Sequence, residues 1–260
     1  MFLILILVIF CNARDASESG APNIIYIMLD DLGWSDVGWN NEESNVLPYL
    51  TSMANNGTIL EQSYSCHRCT PSRAAFLTGR YPFRYGLGTE ALEKKSPVGL
   101  DTDITLFPKI LRQNGYKTHI VGKWHLGFCQ PGQHPLRRGF DTFFGFHSAQ
   151  IGYSSHVSDY FDGFEPANNT NVYSTIDFTT RAIKLAKKGN NKNPFFLYLA
   201  YNAPHIPLSA PKAYITKIKE MFPNIPKKRL MYVLLFFEIC ESYIFSHACW
   251  SIGRRFKSNA

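Results

Sequence analysis

Residues 23–29, Asn-Ile-Ile-Tyr-Ile-Met-Leu, form an apolar run that no charge interrupts. A short continuous run of this kind predicts a strand buried on both faces. Residues 195–200, Phe-Phe-Leu-Tyr-Leu-Ala, repeat the pattern, and residues 117–121 predict a strand between the two in sequence. Helical patterns separate these runs. Thr70 and Pro71 suit the cap and first position of a helix, with Ala74, Ala75, Phe76 and Leu77 following and Gly79 as the stop. Leu106, Phe107, Ile110 and Leu111 share one helical stripe that ends at Asn114-Gly115. Phe178, Ala182, Ile183 and Ala186 share another that ends at Gly189. Strands alternating with helices predict an α/β fold, a mainly parallel sheet flanked by helices.

The polar residues sharpen this picture. Asp30-Asp31 follow the first strand, Gly122-Lys123-Trp124-His125 the second, and Asn202-Ala203-Pro204-His205 the third. Each group sits at the carboxyl end of a predicted strand, the edge at which open parallel sheets bind ligands. The expected site therefore holds two carboxylates, a lysine and two histidines. The carboxylates suit a hard divalent cation, or serve as a turn pair ahead of Gly33. Lys123 and His125 would share one face of an extended segment, offering a point charge and a switchable proton. Equally, they could end a solvated loop. His205 lies between prolines, where a lone histidine is either structural or catalytic.

Composition changes less. At 45% hydrophobic and 18% charged residues the chain has the makings of an ordinary core, which excludes disorder. Of the net charge of +7, +6 comes from residues 212–260. The excess belongs to one end, so it does not point to nucleic acid. Residues 2–10 are apolar and too short to span a bilayer, and Cys11-Asn12-Ala13 follows with cleavage-site spacing. We read residues 1–13 as a secretory signal peptide. The sequons Asn56-Gly57-Thr58 and Asn168-Asn169-Thr170 agree with that route. Without Cys11, five cysteines remain, so at least one is unpaired or chemically special. Cys66 and Cys69 have redox or zinc spacing, but no second pair supports zinc.

The most specific segment is Cys69-Thr70-Pro71-Ser72-Arg73. It places a thiol before a helix N-terminus, where free N–H groups and the helix dipole favour an anion. Arg73, one turn in, adds a planar donor for oxyanions. A buried or disulfide-bonded cysteine ahead of a capped helix is the alternative. The full stretch from Cys69 through Leu77-Thr78-Gly79-Arg80 to Tyr81 resembles the signature of the formylglycine-dependent sulfatase family, whose core is Cys-x-Pro-x-Arg. Asp30-Asp31-Leu32-Gly33 resembles the family's first metal-binding segment, and Gly122 to Gly127 (GKWHLG) its second active-site segment. Residues 137–145 are similar to the arylsulfatase B-like branch, and residues 196–207 to the segment carrying the family's later histidine.

The resemblance covers residues 22–214 in family order and implies an alkaline-phosphatase-like fold and a chemistry. Cys69 would be oxidised to formylglycine by the formylglycine-generating enzyme. Its hydrate would attack sulfur, expel the alcohol and then release sulfate. Asp30, Asp31 and the modified Cys69 would hold one Ca²⁺, with Mg²⁺ the lesser choice. Arg73 and Lys123 would hold formylglycine and sulfate oxygens, His125 would assist the diol, and His205 would protonate the leaving oxygen. The implied substrate is a sulfate monoester on a glycosaminoglycan sugar, and the implied location the lysosome or the extracellular space.

The sequence departs from the family after residue 214. The family's second Asp-Asn pair and second lysine have no counterpart, and no Asp follows Asp177. Residues 215–260 instead carry Lys227-Lys228-Arg229, an apolar run at 230–237 and Cys240 and Cys249. A membrane anchor is disfavoured, because Glu238 and Glu241 interrupt any extension of that run. The expectation is an incomplete N-terminal catalytic domain with an atypical tail. Three readings follow: an active hydrolase, an inactive fragment, and a noncatalytic secreted binder of sulfated glycans.

Overall fold

The computed structural model describes residues 6–11, 21–41, 48–94, 96–156, 159–167, 171–188, 193–221 and 223. The sequon at Asn168, the helix stop at Gly189, the proposed cleavage site at residue 13 and the tail from residue 224 lie outside the described residues.

Among the described residues seven strands form one sheet: β1 (Ile6–Cys11), β2 (Asn23–Met28), β3 (Lys117–Lys123), β4 (Thr142–Phe146), β5 (Phe161–Asp162), β6 (Glu165–Pro166) and β7 (Phe195–Ala200). Their order is β1-β2-β7-β3-β4-β5-β6. The central four, β2, β7, β3 and β4, are mutually parallel. The edges are antiparallel, β1 on β2 at one side and the β5–β6 hairpin on β4 at the other. The expected parallel sheet is thus the centre of a mixed one. Residues read as part of a leader supply an edge strand, pairing Ile6 with Met28 and Cys11 with Asn23.

All six residues of β7 are buried, as its unbroken apolar run requires. Alternation sorts the central strands into two cores. Ile25, Ile27, Val121, Leu197 and Leu199 face one side, where Phe178, Ala182 and Ala186 of α4 (Ser174–Lys188) cover them. Tyr26, Met28, Ile120, Phe196, Tyr198 and Ala200 face the other, under Ala74 and Leu77 of α2 (Cys69–Thr78) and Phe107 of α3 (Phe107–Gln113). Fully burying one such side chain contributes about 1.5–3 kcal/mol, so both faces need their helices. Two further helices, α1 (Pro48–Asn55) and α5 (Lys212–Met221), complete the α-helices among the described residues.

One helix boundary differs from expectation. Helix α2 begins at Cys69 with Arg68 as its extended cap residue, so Thr70 does not cap it and Pro71 is not its first residue. The Thr70 hydroxyl is engaged elsewhere, donating to the His125 carbonyl at 3.1 Å and accepting from Leu92 N–H at 3.0 Å. Gly79 ends the helix as read, in the left-handed region at φ 65°, its N–H on the Ala75 carbonyl at 2.9 Å.

Candidate active site

The carboxyl ends of the four parallel strands share one edge of the sheet. Asp30-Asp31 follow β2, Lys123 is the last residue of β3, His147 follows β4, and Asn202 to His205 follow β7. Backbone bonds lock these ends together. Asp30 N–H donates to Ala203 O at 2.9 Å, Tyr201 N–H to Met28 O at 2.9 Å, and His125 N–H to His147 O at 3.0 Å.

Asp30 is the hub. Lys123 Nζ lies 2.7 Å from its Oδ2 and Arg73 Nη2 lies 3.2 Å from its Oδ1. The Lys123 and Arg73 side chains are both 0% exposed. Two cations so deep in a protein need an anion between them. Arg73 is also fixed by Nη1, which donates to Lys123 O at 3.0 Å and to Tyr198 Oη at 3.3 Å. Its Nε is buried and has no partner among the described residues. Burial pushes the Asp30 carboxyl up, but Lys123 and then Arg73 outweigh it and hold the group well below the usual carboxylate range. Asp31 is the opposite case: burial first, and then the neighbouring Asp30 charge, raise it. Its backbone is left-handed, φ 69°.

Cys69 occupies the first turn of α2. Single ligand atoms of Asp30, Cys69 and His205 lie within 4.8 Å of one another, the only such group among the described residues. Burial raises the Cys69 thiol above its ordinary value, against the pull of Lys123. The thiol is therefore a poor nucleophile as it stands. Cys66 and Cys129 are also free. His205 Nε2 faces Asp31 Oδ2 at 3.6 Å, and its Nδ1–H donates to Ile206 O at 2.6 Å. Tyr153 Oη holds the His205 loop by donating to His205 O at 2.7 Å and Asn202 O at 3.2 Å.

His125 sits differently from expectation. The segment is not extended through it, because its φ is 57°, so Lys123 and His125 do not share a face by strand alternation. Its Nε2 meets the Leu92 carbonyl at 2.7 Å, which makes Nε2 the protonated nitrogen. Nδ1 is then a bare lone pair, buried and without a partner among the described residues. Burial, reinforced by Lys123, pushes its pKa down to about 3, so the ring is neutral at ordinary pH.

The site roles of Tyr198, Tyr153 and the Leu92 carbonyl escaped the sequence reading, and Thr70 was read there only as a cap. Tyr198 is one residue of an apolar strand, and its hydroxyl, which donates to Met28 Sδ at 3.1 Å, carries no motif. A tyrosine amid an all-apolar strand is the one signal that could have marked it, since a buried hydroxyl needs partners.

A profile of the Sulfatase family matches residues 22–250, which includes most of the stretch after residue 214. Mouse arylsulfatase J is 37% identical over 219 residues, covering 80% of this chain and 36% of that protein. Human N-acetylgalactosamine-6-sulfatase is 35% identical over 228 residues, covering 76% of this chain and 42% of that protein. The crystal structure of the protein Ps i-CgsB superposes with a TM-score of 0.80 at 33% identity, over 89% of this chain and 55% of that one. The chain spans less than half the length of these two curated relatives. The sheet and its flanking helices are those of the alkaline-phosphatase-like sulfatase fold. With the profile spanning most of its length, the chain belongs to the sulfatase family.

Proposed function

We propose that the protein is a sulfuric ester hydrolase acting on sulfate monoesters of glycosaminoglycan sugars. The observation that carries this reading is the buried Arg73–Asp30–Lys123 cluster beside Cys69, at the start of α2. It sets two fixed cations and a helix N-terminus around one thiol, an arrangement suited to a tetrahedral oxyanion. The names of the relatives support a sulfated sugar, N-acetylgalactosamine-6-sulfatase most directly.

Cys69 is the residue that becomes formylglycine, whose hydrate supplies the hydroxyl that attacks sulfur and the second hydroxyl whose collapse releases sulfate. The donor set fits a hard cation on this side of the site: Asp30, Asp31 and the oxygen replacing the Cys69 sulfur. Asp31, raised by burial beside a second carboxylate, is the anion that lacks a full complement of positive charge. Ca²⁺ would supply that charge and draw electron density from the sulfate oxygens. Lys123 and the free Nε of Arg73 orient sulfate oxygens. Neutral His125 accepts a proton at Nδ1 from the diol. His205, anchored through Nδ1, presents Nε2 to the leaving oxygen and donates its proton there. Residues 1–13 route the chain into the secretory pathway, where the formylglycine-generating enzyme is its partner, and on to the lysosome or the cell exterior. Among the described residues no helix is long and apolar enough to cross a membrane.

A second reading, a protein that binds sulfate esters without cleaving them, has one observation in its favour. Among the described residues the side chains whose ligand atoms gather at this point are Asp30, Cys69 and His205, a small part of the shell a hard cation takes. Calcium takes about 6–8 oxygens. One experiment separates the two readings. The chain is co-expressed with the formylglycine-generating enzyme, the peptide carrying position 69 is weighed, and an aryl sulfate is assayed in Ca²⁺ beside Cys69→Ala. Hydrolysis that needs both the modification and Cys69 is expected. Binding without turnover, in protein carrying formylglycine, would establish the second reading.

A further inference from the structure

We propose that the turn following α2 is a docking ledge for the sulfated chain of a polysaccharide, apart from the pocket at Cys69. Tyr81 and Phe83 are 73% and 72% exposed, and their rings stack with centroids 5.7 Å apart and planes 21° from parallel. Two large aromatic rings, nearly parallel and open to water, form an exposed apolar patch of the kind that marks an interaction surface. Arg80 and Arg84 bracket the two rings in sequence, both exposed and neither with an acidic partner among the described residues. An exposed apolar patch with two arginines beside it in the chain, neither meeting an acid among the described residues, fits a ligand that is apolar on one face and anionic at its rim. A sulfated pyranose is such a ligand: its C–H face lies on the rings and its sulfates meet the arginines.

The ledge is built to stay in place. Residues 82–85 form a tight turn, with Arg84 N–H on Tyr81 O at 3.1 Å and Leu87 N–H on Pro82 O at 3.2 Å. Tyr85 Oη lies 3.2 Å from Thr78 Oγ1 and donates to Arg80 O at 3.4 Å, tying the turn to the end of α2. Gly88 lies so close beneath Phe83 that a Cβ there would meet Phe83 Cα at 3.0 Å. A platform ordered before binding loses little conformational freedom when the ligand arrives. Nine helical steps lead from Cys69 to the end of α2, about 13.5 Å at the helical rise, so a polymer could touch both while a monosaccharide could not. Engagement at two points raises the local concentration of sulfate esters at the pocket.

The choice of a sulfated chain rests on the proposed hydrolase reading, so the test separates the two. Binding of an immobilised chondroitin 6-sulfate oligosaccharide, and of the same oligosaccharide desulfated, is measured for the parent protein, for Tyr81→Ala/Phe83→Ala and for Arg80→Gln/Arg84→Gln. Hydrolysis of a small aryl sulfate is followed in parallel. Both double variants are expected to bind the sulfated chain at least tenfold more weakly, with small-substrate hydrolysis equal to the parent. The parent is expected to bind the desulfated chain tenfold more weakly too. Undiminished binding by either double variant would overturn the ledge, as would equal binding of the desulfated chain. So would a change in oligomeric state of Tyr81→Ala/Phe83→Ala with binding intact, which would make the rings a contact between copies. Loss of chain binding in the variants while no protein cleaves the aryl sulfate would keep the ledge and remove the hydrolase.

Discussion

Asp30 is the residue on which the site's charge balance turns. Its two oxygens are taken by Lys123 at 2.7 Å and Arg73 at 3.2 Å, and neither cation reaches water. Removing its charge while keeping its shape leaves two buried cations facing a neutral amide. Breaking a buried pair in this way costs about 3–5 kcal/mol. Asp30→Asn is therefore expected to lower the unfolding free energy obtained from urea curves by about that amount, or to prevent folding. A loss under about 1 kcal/mol would show that water reaches the cluster. His125 makes a separate prediction about pH. In the folded protein it binds a proton only near pH 3, whereas an unfolded histidine binds one at 6.5. Its neutral form is thus a source of stability that is fully present above pH 6.5 and is lost as pH falls from there toward 3. The slope is at most about 1.4 kcal/mol per pH unit. Denaturant curves across that window should show the decline, and His125→Gln, which cannot titrate, should flatten it. An unchanged slope in the variant would place the titrating group elsewhere.

At the scale of elements, the spacing of β3 against its neighbours depends on a residue with no side chain. Gly122 has φ 108°, and a Cβ there would lie 2.0 Å from the Ala200 carbonyl oxygen on β7. Gly122→Ala must either push the two strands apart or abandon that conformation, beside the buried Lys123. Overpacking alone costs about 1–3 kcal/mol and a disfavoured positive φ about 1–2 more. A loss of about 2–5 kcal/mol by thermal or denaturant unfolding is expected, and a near-neutral variant would show that the strands separate freely. Such features explain what the sequence revealed and what it hid. Strands β2 and β7 were legible because a strand buried on both faces must be apolar throughout, and α4 because its stripe faces a single core. Strand β4 was not, since Thr-Phe-Phe-Gly-Phe reads as well as part of a loop motif as of a strand. The two-residue strands β5 and β6 are too short for any period to show. Edge strand β1 shares its apolar run with the pattern of a leader. The cap of α2 was misplaced because Thr70, a good capping residue, spends its hydroxyl on His125 and Leu92. The site followed the same logic. Charged residues at strand ends announced themselves through position, whereas the Leu92 carbonyl that fixes the His125 tautomer is a backbone atom and leaves no mark in sequence.

For the whole molecule, the sheet's two edges are unequal. The far edge ends in a two-residue hairpin, short enough to offer little template to another strand. The near edge depends on residues 6–11, which pair with β2 along six positions. Those six residues fall within the stretch read as a signal peptide. If cleavage follows residue 13, the protein that leaves the secretory pathway presents β2 itself as an edge, with Ile24, Ile25, Tyr26, Ile27 and Met28 along it. An apolar edge carrying no charge and no proline has none of the features by which native sheets avoid pairing with one another. Two proteins are worth comparing, one retaining residues 1–13 and one beginning at residue 14. The shorter is expected to scatter more light at matched concentration and to bind more of a dye that reports cross-strand stacking. Placing Lys at position 24, where the side chain is only half-buried, should reverse the difference by charging the edge. Equal monodispersity of the two proteins would mean that another segment of the chain takes the place of β1 on β2. A shorter protein that is the more soluble would mean that the β1 run is itself the adhesive surface.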